Sequence, residues 1–132
     1  MNTCYKFVFS LLLLATAAFS HLQAASLNVL YNFSASNNGG INPLAALVQG
    51  SDGNFYGTTQ GGGSSSDGTI FMMTPAGVLT TLVSFNGTNG SLPAAALLQG
   101  SDGNFYGTTS RGGSSGNGTV FMITPAGVLT TL

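Results

Sequence analysis

Short apolar stretches alternate with glycine-rich polar segments along most of this chain. The stretches are rich in β-branched and aromatic residues, which favour strands. Side chains alternate between the two faces of a strand, so Phe55, Gly57 and Thr59 share one face and Tyr56 and Thr58 the other. After residue 24 no stretch has a sustained helical period. The pattern predicts a set of four short antiparallel strands, at 44–49, 54–59, 69–74 and 78–85.

Two kinds of turn separate these strands. An Asp-Gly step follows the first strand, where glycine accepts the positive φ of a tight hairpin. A Pro-Ala-Gly step follows the third, with proline suited to the first central position of a turn. A polar loop at 60–68 joins the second strand to the third. The predicted structural turn residues are Asp52, Gly53, Asp102, Gly103, Pro75, Gly77, Pro125 and Gly127.

The whole pattern occurs twice. Residues 50–82 align without gaps on residues 100–132 and differ from them at six positions. We therefore predict two repeats, at about 34–82 and 83–132. Four strands in about fifty residues is the size of a β-propeller blade. Residues 27–33 align with the fourth strand, so the predicted fold is all-β: two blade-like units plus one N-terminal strand, an incomplete propeller.

A specific motif accompanies this architecture. Residues 47–59 read Leu-Val-Gln-Gly-Ser-Asp-Gly-Asn-Phe-Tyr-Gly-Thr-Thr, and residues 68–75 read Gly-Thr-Ile-Phe-Met-Met-Thr-Pro. This pattern resembles the GloVer tandem repeat, a family of bacterial exported proteins with propeller-like repeats and no established activity. The resemblance implies a secreted or surface location. Members usually have more repeats and often carry a C-terminal surface anchor, whereas this sequence has two repeats and no anchor segment after Leu132. We therefore expect a truncated relative or a partial gene product.

The N-terminal residues differ from the rest of the chain. Lys6 precedes a nearly unbroken apolar run at 7–19, and Ala24 offers a small residue for cleavage. This arrangement predicts a secretory signal peptide at 1–24 and a mature region at 25–132. The alternative is an uncleaved anchor, although the run is shorter than the ~20 residues of a spanning helix. No later segment is apolar enough to span a membrane.

Charge is scarce. Charged residues make up 4% of the chain, and cleavage after Ala24 leaves one arginine, three aspartates and no Cys, His, Lys or Glu. Binding nucleic acid needs several cationic side chains to displace counterions, so a nucleic-acid partner is disfavoured. Because the mature region contains no cysteine, it can form neither a disulfide framework nor a thiolate metal site. No cofactor is expected.

Few residues are candidates for chemistry. Asp52 and Asp102 open a segment that resembles a calcium loop, but position twelve is Gly63 or Gly113 where a bidentate Glu is required. We therefore interpret both aspartates as turn residues and predict no metal site.

Three residues are candidates for ligand binding. Tyr56 and Tyr106 are either an aromatic platform for sugar rings or filling between neighbouring units. Arg111 replaces Gly61 in an otherwise repeated loop, so the fold does not require it, and it is either a solvated charge or a ligand contact.

These features favour an exported, non-enzymatic repeat protein with a structural or binding role at the cell surface. Glycans and other surface proteins are the expected partners. A homo-oligomer is a further expectation, since two blades cannot close a ring and leave exposed edges. The alternative function is a propeller-type glycosidase or lyase that uses aspartate carboxylates.

Overall fold

The computed structural model describes residues 26–34 and 40–132 of the protein. The predicted signal peptide lies outside these residues. Within the described part, the regular structure consists of β-strands, and no helix is long and apolar enough to cross a membrane. The strands are β1 (Val48–Gln49), β2 (Phe55–Thr59), β3 (Thr69–Met73), β4 (Leu79–Ser84), β5 (Leu98–Gln99), β6 (Phe105–Thr109), β7 (Thr119–Ile123) and β8 (Leu129–Thr131).

The strands form two four-stranded antiparallel sheets, each in sequential order. The first sheet, β1 to β4, is called the first unit, and the second, β5 to β8, the second unit. Equivalent strands pair in the same register: Gly57 lies opposite Phe71 in the first unit, and Gly107 lies opposite Phe121 in the second. The predicted all-β fold of tandem four-stranded units is confirmed.

Both hairpin turns of a unit close in the same way. The Gly53 N–H donates to the Gly50 carbonyl at 2.9 Å, and Gly53 has a φ of 83°. The Gly77 N–H likewise donates to the Thr74 carbonyl at 2.9 Å. A turn followed by a left-handed glycine is the three-residue hairpin, whose twist suits antiparallel strands. The glycine of each Asp-Gly and Pro-Ala-Gly step is therefore required by backbone conformation.

The first strand of each unit is shorter than the sequence predicts. We expected a strand at 44–49, but only Val48–Gln49 pairs with β2. The chain contacts the sheet again further upstream, where the Gln60 N–H donates to the Asn42 carbonyl at 3.0 Å. Between these two points Asn42 adopts a φ of 58° and Pro43 has no N–H to donate. Residues 43–47 therefore leave the sheet edge instead of extending the strand.

The predicted N-terminal strand is not formed. Residues 26–34 carry no strand, because their backbone does not enter the ladder of a neighbouring sheet. They nevertheless lie against the first unit, where the Phe33 ring meets the Phe71 ring edge-on with centroids 5.3 Å apart. Phe85 meets Phe121 at 5.5 Å in the second unit. The segment thus occupies on the first unit the place that the end of β4 occupies on the second.

The main hydrophobic core lies between the two units. In each sheet the front face carries Tyr56 or its counterpart, and the back face carries Phe55 or its counterpart. The front face of the first unit packs on the back face of the second. Buried members of the resulting cluster are Tyr56, Ile70, Phe85, Leu97, Phe105, Phe121 and Ile123. Residues of both units contribute to this core, so neither unit encloses it alone.

Candidate functional site

The exposed carboxylate of Asp52 accepts hydrogen bonds from its own turn and from the next strand. Its Oδ1 accepts the backbone N–H of Asn54 at 3.1 Å, and its Oδ2 accepts the Asn54 side-chain amide at 2.8 Å. The hydroxyl of Tyr56 donates to the same Oδ2 at 2.8 Å. Asp102 has the same three contacts, from Asn104 and Tyr106. The structure thus brings each aspartate together with one tyrosine, and it places the two aspartates in separate turns.

These hydrogen bonds favour the ionised form of both aspartates. The bond from Tyr56, followed by those from Asn54, lowers the pKa of Asp52 below its ordinary value of 3.8. The bond from Tyr106 lowers the pKa of Asp102 in the same way. Both carboxylates are therefore ionised at neutral pH and act as hydrogen-bond acceptors only.

The two tyrosines occupy equivalent positions in different surroundings. The Tyr56 ring is buried between the units and stacks on the Phe105 ring, with centroids 4.0 Å apart. Burial, with the bond to Asp52, raises its pKa to about 12. Tyr106 occupies the same place on the front face of the second unit and is only half-buried. Of the two predicted aromatic platforms, Tyr106 is the one that a ligand can reach.

Arg111 lies in the loop between β6 and β7 and is exposed. Its backbone is held on both sides: its N–H donates to the Ser91 carbonyl at 3.1 Å, and its carbonyl accepts the Ser91 N–H at 2.8 Å. The first unit pairs Gly61 with Ile41 in the same manner. A methyl group placed on Gly61 would lie 3.1 Å from Ile41 Cγ1. An arginine is therefore accommodated in the second unit, where its partner is the smaller Ser91.

The exposed surface around Arg111 is polar. Ser110, Ser114, Ser115 and Asn117 are all exposed in the same loop. We call residues 110–117 the arginine loop. Within 26–34 and 40–132 the structure contains no group of three or more His, Cys, Asp or Glu side chains that could hold a metal ion.

Sequence reasoning missed the polar contacts that join the units. The Ser91 hydroxyl donates to the carboxylate of Asp67 at 2.6 Å, and the Leu92 N–H donates to the Asp67 carbonyl at 2.9 Å. The signal was present in the repeat: Asp67 is Asn117 in the second copy, and Ser91 is Ile41 in the first. Both members of the bonded pair differ from their counterparts in the other copy. The bond is therefore specific to the contact between these two units, which we call the junction.

A second missed contact across the units is made by residues that are present in both copies. The Gln99 side chain accepts the Ser51 N–H at 3.0 Å and donates to the Ser51 hydroxyl at 3.3 Å. Their counterparts, Gln49 and Ser101, are both present and exposed. The residue types that bond across the junction between the units are therefore also present, exposed, on the first unit as Gln49 and on the second as Ser101.

Comparison with known proteins supplies the family. No curated protein matches the chain. The family model of the Gloeobacter/Verrucomicrobia repeat matches residues 17–132, which includes both units and the segment packed against the first. The match covers most of the chain and agrees with the repeat noted from its sequence. The chain therefore belongs to the Gloeobacter/Verrucomicrobia repeat family.

Proposed function

We propose that this chain is an exported protein that acts by binding or by building structure at the cell surface, without catalysing a reaction. One observation carries the proposal: the carboxylates that recur in both units accept hydrogen bonds from residues of their own unit. Each Asp-Gly turn holds its carboxylate with three hydrogen bonds from Asn and Tyr side chains and backbone. The third aspartate, Asp67, bonds to Ser91 across the junction.

The pKa directions support the same proposal. A glycosidase needs one carboxylic acid that retains its proton near neutral pH and a second group that is ionised. The hydrogen bonds around Asp52 and Asp102 lower both pKa values, so neither group is suited to be the acid. Their hydrogen-bond partners are also equivalent, whereas acid and base roles require carboxyl groups with different pKa values.

The arginine loop is the proposed binding surface. Its exposed hydroxyl and amide groups are suited to sugar hydroxyls, and the Arg111 guanidinium is suited to a carboxylate. The half-buried Tyr106 offers an aromatic ring elsewhere on the second unit. Glycans and surface proteins that carry carboxylates are the partners that this chemistry favours.

A glycan array with matched variants tests the binding role. Arg111→Gly introduces the residue that the first unit has at the same position, so the loop keeps a sequence that this fold already accepts. We expect the full chain to bind acidic glycans and Arg111→Gly to lose that binding, while Ser115→Ala retains most of it. Equal binding by Arg111→Gly would contradict the role of the loop.

The enzymatic alternative is tested on chromogenic glycosides. We expect no turnover by the full chain. Turnover that disappears in Asp102→Asn would overturn the proposal, because it would show that an aspartate of the repeated turn acts on substrate. Export is tested separately, by sequencing the N-terminus of the protein recovered outside the cell, which we expect to begin at Ala25.

A further inference from the structure

A cavity of about 340 Å³ lies against the back face of the first unit. Its walls come from the segment before the unit, from residues 43–47 and from β3. The lining residues are Leu30, Tyr31, Phe33, Pro43, Ala45, Leu47, Phe71 and Met73. All of them are apolar or aromatic, so the cavity is suited to receive apolar side chains. We call it the socket.

Each wall of the socket has a counterpart at the junction between the units. There the aligned positions are Leu82, Val83, Phe85, Pro93, Ala95, Leu97, Phe121 and Ile123. Four of these counterparts belong to the buried core, and Leu82 and Val83 pack against it. Tyr56 and Ile70 of the first unit belong to the same core. The difference shows at Leu97, which is 5% exposed, against 48% for Leu47 in the socket.

The front face of the first unit, which packs into the junction, has an exposed counterpart on the second unit. The front face of the second unit carries Tyr106, Thr108 and Val120 where the first unit has Tyr56, Thr58 and Ile70. Ile70 is fully buried, whereas Val120 is 53% exposed. The second unit thus presents to solvent the apolar surface that its counterpart buries. We call this surface the plug.

Most polar contacts of the junction can be repeated between plug and socket. The Thr58 hydroxyl donates to the Ala95 carbonyl at 3.4 Å, and the aligned pair is Thr108 and Ala45. Ser51 and Gln99 bond across the junction, and the aligned pair is Ser101 and Gln49. The Asp67 bond to Ser91 is not repeated, because the aligned pair is Asn117 and Ile41. A contact between copies would therefore be weaker than the junction within a chain.

We propose that the plug of one copy of this chain docks into the socket of a second copy, head to tail, by the packing that joins its own two units. Continuity with that junction carries the proposal: both surfaces are present on one chain, and their counterparts already pack together between the two units. Plug and socket are different surfaces, so the contact is heterologous. It adds copies until a ring closes, or it continues as an open chain.

Three exposed positions are suited to a test of this contact. Val120→Asp places a charge on the plug, and Leu47→Asp places one in the socket, where burying an unpaired carboxylate would be costly. Val128→Asp is the matched control. Val128 is 61% exposed and its counterpart Val78 is 62% exposed, although the front face of the first unit is covered. This position therefore lies outside the packed surface.

Sedimentation of the full chain, expressed from Met1 for export, measures the assembly. We expect the mass of the chain and of Val128→Asp to rise with concentration, and each of the other variants alone to remain monomeric. Circular dichroism and thermal melting identify any variant that fails to fold. Leu98 lies opposite Tyr106 on the front face and is 69% exposed, so Leu98→Asp then replaces Val120→Asp, and Ala45→Arg replaces Leu47→Asp.

Mixing the two blocked variants gives the decisive result. Val120→Asp keeps an intact socket and Leu47→Asp keeps an intact plug, so we expect the mixture to form a one-to-one dimer and nothing larger. Continued monomers in the mixture would overturn the proposal. So would a wild-type chain that stays monomeric at all concentrations, which would leave the two surfaces to a different occupant, such as a further repeat.

Discussion

The ring of Tyr56 stacks on the ring of Phe105, with centroids 4.0 Å apart, and this contact joins the front face of one unit to the back face of the next. The hydroxyl of the same tyrosine donates to Asp52 in the turn of its own unit. One side chain thus connects the Asp-Gly turn, which recurs in each copy, to the core between copies. The motif that defines the repeat therefore stabilises the turn of its own unit and also the packing of that unit against the next.

Ile70 and Val120 test how much the junction contributes to stability. They occupy the same position in the two sheets, but Ile70 is fully buried and Val120 is half exposed. We expect Ile70→Ala to lower the free energy of unfolding by about 3 kcal/mol through lost burial and a residual cavity. Val120→Ala should lower it by less than about 1 kcal/mol.

Denaturant unfolding at low protein concentration, where copies do not associate, measures both values. Equal losses at the two positions would contradict the asymmetric burial of the two front faces.

Gly57 tests the close packing of the back face. A methyl group at this position would lie 2.7 Å from both Leu47 Cδ2 and Phe71 Cζ, closer than carbon atoms can approach. We expect Gly57→Ala to lower the free energy of unfolding by about 1–3 kcal/mol through overpacking.

The matched double variant, Gly57→Ala with Phe71→Leu, removes the ring that the methyl group meets. Its loss should be smaller than the sum of the two single losses. A double variant whose losses add would show that the cost of Gly57→Ala does not come from the contact with Phe71, which leaves the contact with Leu47 and the backbone as its source.

The hydrogen bond between Tyr56 and Asp52 predicts a dependence on alkaline pH. Burial and this bond raise the pKa of Tyr56 from 10.0 to about 12 on folding. A pKa raised by folding means that the neutral phenol stabilises the fold below pH 10, and that this contribution declines as the pH rises towards 12. We expect Tyr56→Phe to lose about 1 kcal/mol at neutral pH and to reduce that alkaline decline.

Urea midpoints across this pH range provide the measurement. Tyr106→Phe is the control, because Tyr106 makes the same bond to Asp102 without burial between units. The bond to Asp102 raises the pKa of Tyr106 as well, so the control should also reduce the decline, but by less than Tyr56→Phe, because Tyr106 is not buried between the units. An equally steep decline in Tyr56→Phe would mean that another group titrates.

Much of the fold follows from local sequence. Alternation within residues 54–59 assigns Tyr56 and Phe55 to opposite faces, and the structure confirms this in the register of β2 with β3. The glycines of the turns were predictable because Gly53 and Gly77 need positive φ. The internal repeat then predicted a second, equivalent sheet.

The two strand predictions that were wrong concern segments whose conformation depends on residues outside them. Residues 44–47 have strand-like composition, but the left-handed Asn42 and the following Pro43 direct the chain away from β2. Residues 27–33 resemble the fourth strand, but whether a segment joins a sheet depends on a neighbouring strand, which the pattern of the segment itself does not specify. Sequence alternation gives two faces and does not say which face meets the next unit, so it left open whether Tyr56 binds a ligand or fills the junction.

A double-mutant cycle on Tyr56 and Phe105 measures whether front-to-back stacking holds the two units together. The single variants are Tyr56→Leu and Phe105→Leu, which keep apolar bulk and remove the ring contact. The pair Tyr106→Leu and Phe105→Leu is the control, since these neighbours point to opposite faces of β6.

We predict a coupling free energy of about 1 kcal/mol between Tyr56 and Phe105. The control pair should be additive within about 0.5 kcal/mol. Additive losses for Tyr56 and Phe105 would contradict the account, because they would show that the two rings do not stack across the junction.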